Sequence, residues 1–246
     1  MRIQNLTYRH PEGSDCLRDI DLVVEEGEFI IIAGRNGSGK TTLCKHFNGL
    51  LQPEEGSVLL HGVPIREDIR RARQTVGMVF QNADSQIVGE TVSADIAFGP
   101  ENLRLGREEI DRRVEQALHI VGLEPLRDHS PHILSGGEKR RLAIAGVLAM
   151  QPRIIVLDEP FASLDYPGSL QILDRILRLW RDNRTIVVVS HDLELVAAHA
   201  GRIIVMEKGK IVRDGKPKEV LPDIEQFGIR PPHCVRYGKE TATWPN

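Results

Sequence analysis

The fold is decided by eight consecutive residues, Gly34-Arg35-Asn36-Gly37-Ser38-Gly39-Lys40-Thr41. They fit the pattern G-x-x-x-x-G-K-[ST] at every position, after an apolar run at 29–32 and before a segment at 42–50 that can form a helix. Glycines let the backbone wind tightly, so that successive N–H groups point inward at phosphate oxygens, and the helix N-terminus adds partial positive charge. The segment therefore predicts a phosphate-binding loop between a strand and a helix.

The last residues of this segment carry its chemistry. In such loops the lysine reaches the β and γ phosphates of a nucleotide and the hydroxyl holds Mg²⁺. We therefore expect Lys40 to bind phosphate and Thr41 to bind the metal ion, with Thr42 beside them at the start of the helix. The alternative, an ordinary glycine-rich turn, does not explain the Lys-Thr pair in register with both flanking elements.

Two carboxylates follow a second apolar run. Residues 154–157 are Ile-Ile-Val-Leu and lead into Asp158 and Glu159. A buried parallel strand that ends in acids places them at the carboxyl edge of the sheet, beside the nucleotide. We expect Asp158 to join the Mg²⁺ shell and Glu159 to act as general base on the attacking water. Alone, the pair could also be a solvated acidic turn.

The rest of the chain alternates short apolar runs with amphipathic segments, which indicates parallel βαβ units. Strands are expected at 2–8, 17–24, 28–33, 56–60, 154–158, 185–190 and 202–207, and helices after 135 and at 168–181 and 193–200. A helical period at 107–122 comes from Ile110, Val114, Ala117, Leu118 and Val121. We expect one α/β domain over 1–246, with a nucleotide-binding core at 1–90 and 133–216, a helical insert at about 91–132 and a tail at 217–246.

Composition excludes several classes. The 246 residues carry 32 basic and 35 acidic side chains, which gives a formal net charge of −3. This net charge argues against binding of a nucleic-acid backbone, which requires a basic surface. No apolar run approaches the roughly 18 residues of a membrane span, and we expect a soluble, cytoplasmic chain. Three scattered cysteines favour neither a disulfide framework nor zinc, and we interpret the HxxH pair His129 and His132, and His233 beside Cys234, as loop residues.

A second anion-binding segment sets this sequence apart from other nucleotide-binding chains. It is Leu134-Ser135-Gly136-Gly137-Glu138, where Ser135 is a good N-cap and the two glycines leave N–H groups uncovered. One chain should not need both this segment and the phosphate loop for one nucleotide. The LSGGE segment, before a strand ending in LDE, resembles the signature motif of the ABC ATPases. In that family two subunits pair head to tail, and the signature of one closes over ATP held by the other.

The resemblance extends to further positions. It implies that Gln81 contacts Mg²⁺ and couples the site to a transmembrane partner. It also implies that Ser163-Leu164-Asp165 crosses the dimer interface and that His191 touches the γ-phosphate. The fold implied is a P-loop NTPase core of mainly parallel sheet, with an N-terminal antiparallel β part and a helical insert. At the adenine, where the family uses an aromatic ring, the motif Leu6 to Pro11 places His10, with Tyr8 two residues earlier. Tyr8 could instead pack inward.

Two segments resemble the energy-coupling-factor and cobalt-type (CbiO-like) importer ATPases. They are 79–87, with an acidic and glutamine-bearing helix expected around Asp84 and Gln86, and 95–102. The tail at 228–232 (Gly-Ile-Arg-Pro-Pro) is similar to that group as well, whereas Ala83 stands where proline is frequent. The first segment could also be a solvated loop.

This second resemblance implies a set of partners. They are a second ATPase subunit (a copy or a paralogue), a transmembrane scaffold and a substrate-binding membrane subunit at the cytoplasmic face of the membrane. The cargo implied is a metal ion such as cobalt or nickel, or a vitamin. The alternatives are a soluble ABC machine of repair or translation and a nucleotide sensor. The chain lacks their coiled coil and second cassette, and a sensor has little use for Glu159 with His191.

Overall fold

Two β-sheets and a layer of helices form the part of the chain that the computed structural model describes, residues 1–10, 15–162 and 164–237. The larger sheet has the strand order β10-β9-β3-β8-β7-β6. Its strands are β3 (Phe29–Ala33), β6 (Val76–Val79), β7 (Ile154–Asp158), β8 (Thr185–Ser190), β9 (Arg202–Glu207) and β10 (Lys210–Gly215). All neighbours are parallel except β9 and β10. Every residue of β3, β6, β7 and β8 is buried, as expected for parallel strands covered on both faces.

The smaller sheet is antiparallel and precedes most of the core strands in sequence. Its strands are β1 (Arg2–Arg9), β2 (Asp15–Val23), β4 (Glu55–Leu60) and β5 (Val63–Pro64), in the order β2-β1-β4-β5. Both sheets match the predicted fold class, a mainly parallel core sheet with an antiparallel N-terminal part.

Eight α-helices lie within the described residues. They are α1 (Lys40–Phe47), α2 (Ile69–Thr75), α3 (Val92–Asn102), α4 (Arg107–Val121), α5 (Gly136–Ala149), α6 (Tyr166–Arg181), α7 (Pro217–Val220) and α8 (His233–Arg236). Short 3-10 helices lie at Glu124–Leu126, Pro131–Ile133 and Leu221–Phe227. No helix within the described ranges is long and apolar enough to cross a bilayer.

Alternation along β3 divides the core into two clusters. Ile30 and Ile32 face one side with β1, β2 and α1, whereas Phe29 and Ile31 face the other side with α3 to α6. The period of two in a strand therefore assigns the antiparallel sheet and the helical layer to opposite faces of the larger sheet. On α4, the residues predicted from the helical period are the ones buried in this second cluster.

Two predicted helices are wrong. Within the predicted helix at 193–200, residues 194–199 form turns, in which Val196 and Ala197 are buried but the backbone hydrogen bonds are isolated. The apolar spacing was real, but Gly201 donates to the Phe29 carbonyl at 2.9 Å and draws the segment back to the sheet before a regular helix can form.

Residues 84–86 form a turn as well. The side chain of Gln86 is turned into this loop, where it accepts from the Phe80 N–H at 3.1 Å and donates to the Met78 carbonyl at 3.2 Å. These hydrogen bonds attach the turn to the end of β6. As a result Asp84 is exposed at the surface, whereas Gln86 is half-buried.

Candidate active site

The phosphate loop runs from the end of β3 into α1. Gly37 (φ +78°) and Gly39 (φ +102°) adopt backbone conformations that other residues rarely take. Lys40 is the first residue of α1 and is only 6% exposed, with Nζ donating to the carbonyls of Gly34 (2.7 Å) and Arg35 (3.0 Å). Burial lowers the pKa of Lys40, whereas the nearby carboxylates of Glu159 and Asp158 raise it. The ammonium is thus held over the loop, inside the cradle that the sequence predicts.

Asp158 ends β7 directly across from α1. Its Oδ2 accepts a hydrogen bond from Thr41 Oγ1 at 2.7 Å, and the residue is 2% exposed. Burial raises the pKa of Asp158, and the Thr41 hydroxyl opposes that rise. A hydroxyl and a carboxylate oxygen therefore lie side by side at the mouth of the loop.

Glu159 is held by the end of the neighbouring strand β8. Its Oε1 accepts from the His191 backbone N–H (3.1 Å) and from Nδ1 of the same residue (2.7 Å), and its Oε2 accepts from Ser190 Oγ (3.1 Å). An ionised carboxylate only accepts, so this contact places the imidazole proton on Nδ1. Glu159 has φ +48°, a strained value for a residue with a Cβ. The carboxylate is 7% exposed and its direction is fixed by these three donors.

The predicted nucleotide residues converge on one cavity of about 820 Å³. Among the predicted residues, those lining it are His10, Asn36, Gly37, Ser38, Gly39, Lys40, Thr41, Thr42, Gln81, Asp158, Glu159 and His191. Gly34 and Arg35 form the base of the loop beneath this cavity and contribute the two carbonyls that Lys40 binds. Residues spread over 182 positions of sequence, from 10 to 191, thus meet at one edge of the sheet.

Two rings, those of His10 and Tyr8, are candidates to stack on the adenine of the nucleotide. His10 lines the cavity, whereas Tyr8 lies behind it and contacts His10 edge-on, with ring centroids 5.5 Å apart. Tyr8 also packs edge-on against the buried His46 at 4.9 Å. Of the two candidate rings, His10 therefore lies at the cavity and Tyr8 packs against it from outside.

The signature segment lies outside this cavity. Ser135 and Glu138 form a reciprocal cap on α5, with Ser135 Oγ 2.7 Å from Glu138 Oε2, and these hydrogen bonds lower the pKa of Glu138. Ser135, Gly137, Glu138 and Asp165 line a separate cavity of about 220 Å³. Leu134 is buried in the core, and a Cβ at Gly136 would have no neighbouring atom within 4 Å. Ser163 lies outside the described residues, as does Pro11 beside His10.

Comparison with known proteins identifies the family of this chain. Residues 17–162 match the family described as ABC transporter. The energy-coupling factor transporter ATP-binding protein EcfA of Methanocaldococcus jannaschii is 48% identical over 225 residues, covering 90% of this chain and 81% of that protein. The chain belongs to the ABC transporter family. It is an ABC ATPase, as the order of its motifs predicts.

Solved structures of the family have the same fold as this ABC ATPase. CbiO1 from Clostridium perfringens, described as part of the ABC transporter complex CbiONQ, is 38% identical with a TM-score of 0.81, covering 92% of this chain and 91% of that one. The ATP-binding cassette MJ0796, described as dimeric and bound to ADP and phosphate, is 31% identical with a TM-score of 0.79, covering 88% and 98%.

Four residues of the cavity in this ABC ATPase were missed from the sequence. They are Cys16, Arg18, Lys208 and Gly209. The turn between β9 and β10 brings in the last two, because the Gly209 N–H donates to the Ser38 carbonyl at 3.0 Å and the Gly209 carbonyl accepts from the Arg18 N–H at 2.9 Å. A Lys-Gly pair between two strands signals a hairpin, but nothing in that signal says which loop the hairpin touches.

Proposed function

We propose that the chain is the ATP-hydrolysing subunit of an energy-coupling-factor-type importer, which powers uptake of a metal ion such as cobalt or nickel, or of a vitamin. The observation that carries the proposal is the separation of the two anion-binding elements. The helix N-terminus at Ser135 does not line the chain's own nucleotide cavity, so its ligand belongs to a second chain. The relatives named EcfA and CbiO1 support the class of transporter.

Under this proposal two chains, copies or paralogues, form the active unit. Each supplies the phosphate loop of one site and the signature of the other, and Asp165 lies in the signature cavity where the partner would approach. The dimeric state described for MJ0796 supports this arrangement. ATP joins the two chains, and loss of the γ-phosphate lets them separate, which gives a two-state clamp.

The chain's own residues divide the hydrolysis between binding and proton transfer. Lys40 and the loop N–H groups would bind the β and γ phosphates and offset the charge that develops on them. Glu159, aimed by Ser190 and His191, would accept the proton of the attacking water. His191 is 59% exposed at its side chain and donates through Nδ1 to Glu159. With a proton on both ring nitrogens, the imidazolium would also donate from Nε2 to the γ-phosphate.

The residues at the loop mouth fit a magnesium ion. Mg²⁺ prefers oxygen ligands, keeps several waters and is bound by one or two carboxylates together with the phosphates of the substrate. Thr41 Oγ1 and Asp158 Oδ2 are adjacent oxygens, and Gln81 adds an amide oxygen at the same cavity. When bound, the ion would neutralise charge on the phosphate oxygens. Among the described residues, no three His, Cys, Asp or Glu side chains form a cluster that could hold a metal ion by themselves. A Mg²⁺ ion that keeps several waters does not need such a cluster.

An apolar surface beside the Gln81 loop is the proposed docking site for the membrane scaffold at the cytoplasmic face. Val88 is 62% exposed and Ile133 67%. Val88 follows the turn at 84–86, and His132, the neighbour of Ile133 in sequence, lines a small cavity together with Asp84 and Val88. Asp84 Oδ1 lies 2.6 Å from Lys139 Nζ, so the turn is tied to helix α5. A partner pressing on this surface would therefore act on both the Gln81 loop and the helix that begins with the signature.

Co-expression with candidate scaffold and substrate-binding membrane subunits from the same genome tests the proposal. We expect a stable complex, with cargo uptake that depends on ATP hydrolysis. Ile133→Asp should reduce the amount of scaffold that co-purifies while the ATPase rate of the isolated chain stays unchanged. The matched control is Leu50→Asp, an apolar residue 43% exposed elsewhere on the surface. Equal recovery of scaffold with Ile133→Asp and wild type would contradict the docking site, and failure to bind any membrane subunit would contradict the transporter.

A further inference from the structure

Arg140 is a buried cation to which the sequence gives no function. It lies on α5, five residues after Ser135, and is 4% exposed. Its guanidinium donates to three backbone carbonyls: Nη1 to Phe80 at 2.6 Å, and Nη2 to Gln81 at 2.6 Å and to Glu159 at 3.3 Å. The acceptors come from the ends of two neighbouring strands, β6 and β7.

Burial of a guanidinium charge costs free energy unless its N–H groups make hydrogen bonds. Burial lowers the pKa of Arg140, and the carboxylates of Asp158 and Glu159 raise it. The planar fork of a guanidinium can bind several acceptors in fixed directions, which a lysine ammonium on its flexible stem cannot do. The contact therefore determines where the two strand ends lie relative to each other, in addition to satisfying their carbonyls.

The peptide at Glu159 needs such a support. Its φ of +48° is a conformation that a residue with a Cβ does not keep without help. Its carbonyl accepts from the Ala162 N–H at 3.1 Å and from Arg140, so one of its two fixed contacts comes from α5. Gln81 is exposed in its loop, and its carbonyl is held by the same guanidinium.

We infer that Arg140 is a positioning residue that sets Gln81 and Glu159 relative to each other and couples both to the signature at the start of α5. The inference rests on the roles proposed above for Gln81, Glu159 and Ser135. Because α5 begins with the residues that would close the partner's site, a movement of α5 is transmitted through Arg140 to the chain's own site. The two composite sites of a dimer are thereby linked within each chain.

Steady-state ATPase kinetics of the full chain test this inference with Arg140→Met and Arg140→Lys. Misplacement of reacting groups by about 1 Å costs on the order of 100-fold, so we expect Arg140→Met to lower kcat about 10- to 100-fold, with KM changed less than about 3-fold. Arg140→Lys keeps the charge, but its ammonium is a point charge on a flexible stem and does not reproduce the fixed directions of the guanidinium donors. We expect a smaller loss of kcat with nucleotide affinity retained.

The matched control is Arg113→Met. The Arg113 side chain is only 15% exposed and donates through Nη1 to the Ala149 carbonyl at 3.2 Å, at the end of α5 remote from the signature. We expect it to lower Tm without lowering kcat. A wild-type kcat for Arg140→Lys, or an equal loss of kcat for Arg113→Met, would overturn the inference. If Arg140→Met does not fold, the Lys variant decides.

Glu159→Gln, measured beside them, separates this inference from the proposed function. If Glu159→Gln hydrolyses ATP at the wild-type rate, the role of Glu159 fails and the inference fails with it. If Glu159→Gln is inactive and Arg140→Lys retains the wild-type kcat, only the inference about Arg140 fails.

Discussion

Replacement of Glu159 by glutamine removes a base and changes little else. Glutamine keeps the length of the side chain and offers one carbonyl oxygen and one amide nitrogen. The oxygen can accept from the two His191 donors, the backbone N–H and Nδ1, and the amide nitrogen can donate to Ser190 Oγ, whose hydroxyl rotates to accept. All three contacts of the carboxylate therefore have a counterpart in Glu159→Gln.

The expected effects on stability and on rate are of different sizes. Charge-assisted hydrogen bonds become neutral ones, a loss of about 1 kcal/mol in the free energy of unfolding, which shifts Tm by about 2–4 °C in a chain of this size. A positioned general base contributes about 10²- to 10⁴-fold to the rate, which corresponds to about 3–5 kcal/mol in the activation free energy. The rate loss should therefore exceed the stability loss.

Three measurements on the purified full chain check this expectation. Steady-state ATPase rates should fall at least about 100-fold, calorimetry should show a small change in Tm, and light scattering after size-exclusion chromatography should show a dimer that persists with ATP. Glu55→Gln, at an exposed position of β4, is the control and should behave as wild type. Hydrolysis by Glu159→Gln within about threefold of the wild-type rate would refute the assignment, because loss of a general base costs at least a hundredfold.

Two further predictions concern the signature and the hairpin. Ser135→Arg is expected to abolish hydrolysis, whereas a single chain with this substitution should still bind nucleotide. The control Thr91→Arg removes the N-cap of α3 and should stay active. If fluorescence shows that Ser135→Arg no longer binds nucleotide, the arrangement in trans is contradicted. Gly209→Ala should lower Tm and nucleotide affinity more than Gly62→Ala, because both glycines have positive φ (+77° and +81°) but only a Cβ at 209 meets a neighbour, the Cys16 carbonyl oxygen. If calorimetry shows equal decreases in Tm for the two alanine variants, the close contact between the hairpin at Gly209 and strand β2 is contradicted.

Local patterns were sufficient for much of the fold because they were mutually consistent. The loop from Gly34 to Thr41 was identified by residue type, spacing and flanking elements together, and β7 by an apolar run that ends in acids. On α4 the helical period alone predicted the buried face. In each case the determining interactions lie within a few residues of sequence, where propensity and period act.

Other features depended on contacts between distant segments. The apolar spacing at 193–200 suggested a helix, but the bond from Gly201 to Phe29 decides the path of that segment. The resemblance predicted a helix around Gln86, but hydrogen bonds to the backbone of Phe80 and Met78 hold this side chain in a turn. The function of Arg140 depends on three carbonyls from two strand ends, and carbonyls are present at every residue, so sequence carries no signal for it.

The order of groups in the site follows from the order of strands in the sheet. The chain supplies the phosphate loop, Gln81, Glu159 and His191 in that sequence, after β3, β6, β7 and β8. In the sheet the order is β3-β8-β7-β6, so His191 lies beside the phosphate loop, Glu159 next and Gln81 last. Neighbouring strands are about 4.8 Å apart, so the set spans about 14 Å, enough to surround the reacting end of a triphosphate. Insertion of β8 between β3 and β7 is thus what brings the histidine and the glutamate into contact, and a chain with the same motifs but without that crossover would keep Lys40 and lose the aimed carboxylate.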